Sequence, residues 1–124
     1  MRVTQNDQIK HEYNLWQRSL EFFRQENTLL KFRLSEIVDI NEQNHFLLIA
    51  EYFQNELLLK DEALNRLMKN LSEFDAQLNK VTGTKKIPES LIYQQEKLRS
   101  DILKFERDFL SLSNEFNKKM LQHI

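Results

Sequence analysis

The chain has 124 residues with one glycine, one proline and no cysteine, and its 18 basic and 19 acidic residues leave a net charge of −1. That is enough chain for a single domain, residues 1–124, which can bury roughly two thirds of its unfolded surface without disulfides or metal. So little glycine and proline argues against a β fold, the missing cysteine excludes thiol chemistry, and interleaved charges exclude a nucleic-acid footprint.

The densest basic spots, Lys85–Lys86 and Lys118–Lys119, are too small to release many phosphate counterions. No run approaches the ~20 apolar residues of a membrane-spanning helix, and the first residues hold no apolar stretch of signal-peptide length. The expectation is a cytoplasmic protein with no membrane insertion.

The first element is a helix over about 5–38. Thr4-x-x-Asp7 sets a hydroxyl cap and an acidic first turn where unpaired backbone N–H groups need acceptors. Ile9, Tyr13, Trp16, Leu20, Phe23, Asn27, Leu30, Leu34 and Ile37 then recur at alternating spacings of four and three. That repeat puts one residue per half-heptad on a single helix face, which must meet another helix. A second stripe, Leu15, Phe22 and Leu29, flanks the seam and is expected to widen the buried face.

The second helix is expected over about 41–81, beginning near Asp39 or Asn41, where Asp39-x-x-Glu42 has capping-box spacing. No glycine or proline marks this junction. The phase of the repeat does: the inner positions of the first helix extrapolate to 41 and 48, whereas the second helix uses 50, 57 and 64. The offset of two residues is about 200° around a helix, so an unbroken helix would turn its second seam away from the first. The second seam is Phe46, Ala50, Phe53, Leu57, Lys60, Leu64, Leu67, Leu71, Phe74, Leu78 and Val81.

The third helix is expected over about 88–123. Gly83 suits a left-handed position after the second helix, Ile87 is pushed toward an extended conformation by the proline that follows, and Pro88 and Glu89 suit a first helical turn. Its seam is Leu91, Gln95, Leu98, Ile102, Phe105, Phe109, Leu112 and Phe116. Three helices of similar length with short turns predict an all-α, up-down-up antiparallel three-helix bundle with long coiled-coil-like helices.

Asn27, Lys60 and Gln95 interrupt the seams, and polar residues at such positions set register. Folding the chain at residue 84 brings Asp108 opposite Lys60 and predicts a buried pair. The alternative use of this layer is a small-molecule or metal-binding site in the bundle core, as in a sensor.

Catalytic chemistry finds little purchase. Glu42-x-x-His45 has the spacing of the carboxylate–histidine element of di-iron bundles, but neither His11 nor His123 supplies a second one. Leu48 and Ile49 follow His45 where histidine phosphotransfer domains carry a lysine and a small residue. No glycine-rich loop or nucleophile elbow is present. The expectation is a non-enzyme with no cofactor and no metal.

The anomaly is apolar residues beyond the seams. Phe32 and Leu48 point directly away from their seams, Leu47 and Tyr52 join the apolar residues that surround the second helix, and the expected register gathers them with Met120 and Leu121 at the end of the rod that holds the first turn. Contiguous exposed apolar surface usually marks an interface. The expected function is therefore protein–protein interaction or self-association, with a homodimer as the simplest case.

Overall fold

The computed structural model describes residues 4–41, 44–81 and 86–123. Within them lie three helices and no strand: α1 (Gln5–Ile40), α2 (Asn44–Asn79) and α3 (Glu89–Leu121). At 1.5 Å per residue each is about 50 Å long. They pack up, down and up, α1 most extensively on α2 and least on α3. No helix among the described residues is long and apolar enough to cross a membrane.

The start of α1 follows its sequence closely. The Thr4 hydroxyl accepts the Asp7 N–H at 3.1 Å, and the Asp7 carboxylate accepts the Thr4 N–H at 3.2 Å, a reciprocal capping box. The end of α1 departs from expectation. The helix runs through Asp39, so Asp39 does not cap α2, and Glu42 lies outside the described residues. With no proline or glycine to stop it, α1 continues until Asn41 turns extended, at φ −126° and ψ 107°. The Asn41 side-chain amide then donates to the His123 carbonyl at 3.4 Å, tying the turn to the end of α3.

The junction before α3 also differs by a residue. Pro88 is the N-cap rather than part of the first turn, with φ −59° and ψ 144°, and its carbonyl accepts the Leu91 and Ile92 N–H groups. Proline suits this place because its backbone nitrogen has no hydrogen left unsatisfied. Ile87, just before it, is buried. Gly83 and Lys85 lie outside the described residues. Lys118 and Lys119 close α3, where cations complement the helix dipole.

Every buried residue of α1 and α2 belongs to the seams, and α3 adds only Met120. Tyr13, Lys60 and Gln95 are half-buried. Aromatic rings lock the three helices together. Trp16 meets Phe74, Phe23 sits between Phe105 and Phe109, and Phe53 stands edge-on to Phe116 at 5.3 Å. Such pairs add about 0.5–1.5 kcal/mol each beyond their burial. Truncating Phe53 or Phe116 to alanine would remove about 3–5 kcal/mol.

Polar pairs beside the seams show which neighbour each helix has on each side. Lys10 pairs with Asp75 and Lys31 with Asp61, both at 2.6 Å, and Arg24 donates to Asn65, so this flank of α1 faces α2. Glu12, on the opposite flank, accepts from Arg99 and Gln95 and so faces α3. Further along the same flank, the Arg33 guanidinium lies over the Phe116 ring.

Candidate interaction surface

The polar seam residues do not come together. Asn27 is fully buried, and its Nδ2 donates to the Leu57 carbonyl at 3.0 Å and to Asp61 at 2.7 Å. Its Oδ1 is buried with no hydrogen-bond partner. Asp61 also holds Lys31, so the layer is one network between α1 and α2. Gln95 belongs to a second network, about four turns away along α1, through Glu12.

The expected buried Lys60–Asp108 pair does not form. Both residues border one shallow hollow between α2 and α3, but Asp108 is exposed, Lys60 is half-buried, and neither joins an ion pair among the described residues. Asp108 lies outside the α3 seam, and a lysine stem at the edge of a bundle can carry its charge to water.

At the turn end, Phe32, Leu47, Leu48, Tyr52 and Leu121 are all exposed, Leu48 by 70% and Leu121 by 74%. Met120 is the correction: it is wholly buried and belongs to the core. α3 shifts phase there, from Phe116 to Met120 with Lys119 left outside, so the position that the heptad leaves outside turns inward. Phe32 also stands farther from the turn than the folded-back register places it. Asn27 lies beside Leu57 and Asp61, which sets Phe32 level with the segment around Phe53 to Glu56 rather than with Leu48. The exposed residues form a collar around the rod, spread over its different sides. Within it, the Tyr52 phenol is pushed above its ordinary pKa by partial burial and by the charges of Glu115 and Glu56.

A different face is more continuous. Leu15, Phe22 and Leu29, expected in the core, are each about half exposed, as are Leu103 and Leu110 on α3. All five point outward from the same side. On α1 the trio sits one step outside the flank of Glu12 and Arg33 that faces α3. On α3 the pair sits one step outside Arg99, which faces α1. In a three-helix bundle these positions project away from the face that two neighbouring helices share.

The equivalent outward positions elsewhere are mostly polar. Between α1 and α2 they are Asn14, Glu21, Thr28 and Ser35 facing Leu58, Asn65 and Ser72. Between α2 and α3 they are Tyr52, Leu59, Arg66 and Glu73 facing Lys97, Lys104, Ser111 and Lys118. The α1–α3 face is thus the apolar one of the three. The seven-residue spacings Leu15–Phe22–Leu29 and Leu103–Leu110 are visible in the sequence. What the seams leave open is on which side of α1 the third helix lies.

His45 and His123 are neighbours at the turn end, with ring centroids 5.4 Å apart, and Phe46 packs on His123. Among the described residues no group of three or more histidine, aspartate or glutamate side chains could hold a metal ion.

Comparison with protein-family models, with curated proteins and with solved structures yields no match.

Proposed function

We propose that this protein is a non-enzymatic, cytoplasmic interaction module that works by helix-to-helix association, in the first instance with further copies of itself. The observation that supports this reading is the quantity of large apolar side chains left outside a complete core. Each seam is already filled by its own bundle, so Leu15, Phe22, Leu29, Phe32, Leu47, Leu48, Tyr52, Leu103, Leu110 and Leu121 leave roughly half or more of their side-chain surface in water, outside the core. Surfaces of this extent on a small domain mark contact sites. Two-fold assembly of identical chains is the commonest way to cover them.

Sedimentation equilibrium at tens of micromolar tests the reading. A mass of at least two chains is the expected result. A monomer throughout, with Phe32→Asp and Leu48→Asp leaving both mass and thermal stability unchanged, would overturn it.

The second reading, a small-molecule or metal-binding bundle, draws support from the unpaired Asn27 Oδ1, an acceptor aimed into the core. Metal analysis of the purified protein and a thermal-shift ligand screen with Asn27→Leu as control separate it from the first.

A further inference from the structure

We propose that the α1–α3 face is the seat of a second copy of this chain, stacked antiparallel on it about a two-fold axis level with Phe22. This rests on the self-association reading and specifies its geometry.

The stripe is symmetric about its own centre. On α1, Leu15 and Leu29 lie seven residues to either side of Phe22. On α3, Leu103 and Leu110 are centred between Glu106 and Arg107. The two centres fall at one level, because the Phe23 ring touches both Phe105, at 5.7 Å, and Phe109, at 5.2 Å. A two-fold axis lying along the face, perpendicular to the helices at that level, turns the stripe onto itself. Phe22 then meets the partner's Phe22, Leu15 meets the partner's Leu29, and Leu103 meets the partner's Leu110. An interface between identical subunits needs this self-complementarity.

The flanking residues agree with the same axis. Glu12 comes level with the partner's Arg33, an opposite charge, and Arg18 with the partner's Gln25, a neutral acceptor. Tyr93 and Leu121, both largely exposed in the single chain, meet across the outer edge of α3. At the axis, two Glu106 carboxylates and two Arg107 guanidiniums gather and sum to zero. The parallel alternative stacks α1 of one copy on α3 of the other, and it sets neither Phe22 opposite its own copy nor Leu15 opposite Leu29.

The area is sufficient. From Gln8 to Glu36 the face is about 42 Å long and two helices, about 20 Å, wide, which gives on the order of 800 Å² per copy. That is the usual size of a stable interface between two proteins.

The chain has no cysteine, so engineered ones report without background. Phe22→Cys under mild oxidation is expected to form a disulfide dimer, because the two side chains face each other on the axis. A mixture of the separate Leu15→Cys and Leu29→Cys proteins is expected to cross-link to each other more than either does to itself. Glu21→Cys, on the α1–α2 face, stays monomeric on a non-reducing gel. Phe22→Asp is expected to weaken self-association by about 100-fold, with the helical circular dichroism unchanged. A dimer in solution that cross-links through Leu48→Cys or Glu21→Cys, and not through Phe22→Cys or the Leu15–Leu29 mixture, overturns this face while self-association stands. A strict monomer overturns both.

Discussion

Asn27 shows most clearly how a single residue acts in this fold. It is the one buried polar side chain among the described residues, and it is bonded on its Nδ2 side only. An unpaired buried acceptor carries a desolvation penalty of about 1–3 kcal/mol, close to what the two donated bonds return. Its contribution is therefore to register, since a slipped α1–α2 pairing would bury Asn27 with no partner at all. Asn27→Leu should unfold in urea within about 1 kcal/mol of wild type. Asp61→Ala, which strips a partner from both Asn27 and Lys31, should cost about 2 kcal/mol. If Asn27→Leu proves the more damaging of the two, the network stabilises rather than aligns.

The capping box at Thr4 and Asp7 stabilises the start of α1 through a single carboxylate. The Thr4 hydroxyl and backbone N–H hold the Asp7 carboxyl below its ordinary pKa. A carboxylate whose pKa is depressed by folding adds stability above its unfolded pKa, and that stability is lost as pH falls through the folded value. Asp7→Asn should therefore be less stable than wild type at neutral pH, and the gap should close in acid. Thr4→Ala should cost about 1 kcal/mol at neutral pH. A gap between wild type and Asp7→Asn that persists unchanged at low pH would show that the carboxylate contributes nothing there.

Among the elements, the seams were legible and their surroundings were not. A 4-3 repeat identifies the face that points to the bundle axis, and nearly every residue so marked is buried. The two-residue phase slip placed a break near residue 40, and the chain leaves α1 at Asn41. The seam cannot say whether α3 lies to the left or right of α1, because both hands bury the same residues. That choice decides whether Leu15, Phe22 and Leu29 border α2 or α3, and it is made here by side-chain pairs at the flanks. Glu12 is the clearest of these. Burial pushes its carboxyl pKa up, but hydrogen bonds from Arg99 and Gln95 and the Arg99 charge more than offset this and hold it below the usual value. Since α1 and α3 share the least contact of the three pairs, this tie matters most there. Glu12→Gln should lower stability by about 1 kcal/mol at neutral pH, discounted for partial exposure, with the loss disappearing as pH falls through the depressed Glu12 pKa. Equal stability of the two proteins at neutral pH would remove Glu12 from the account of handedness.

At the scale of the whole molecule, an apolar face covered by a second copy makes stability depend on concentration. Association stabilises the folded state by mass action, so a tenfold rise in concentration adds about 1.4 kcal/mol per dimer, or half that per chain. For a domain of this length that amounts to an increase of about 2–3 °C in the unfolding midpoint per tenfold. Scanning calorimetry from micromolar to hundreds of micromolar should show this slope in wild type. In Phe22→Asp the slope should vanish, and at low concentration, where wild type is dissociated, the two midpoints should differ only by the lost edge contact of Phe22 on Phe23, about 0.5–1.5 kcal/mol. A midpoint independent of concentration in wild type would mean that the stripe is uncovered in solution. A slope that survives in Phe22→Asp would move the contact to another face, with the collar of Leu47, Leu48 and Tyr52 at the turn end the next to test.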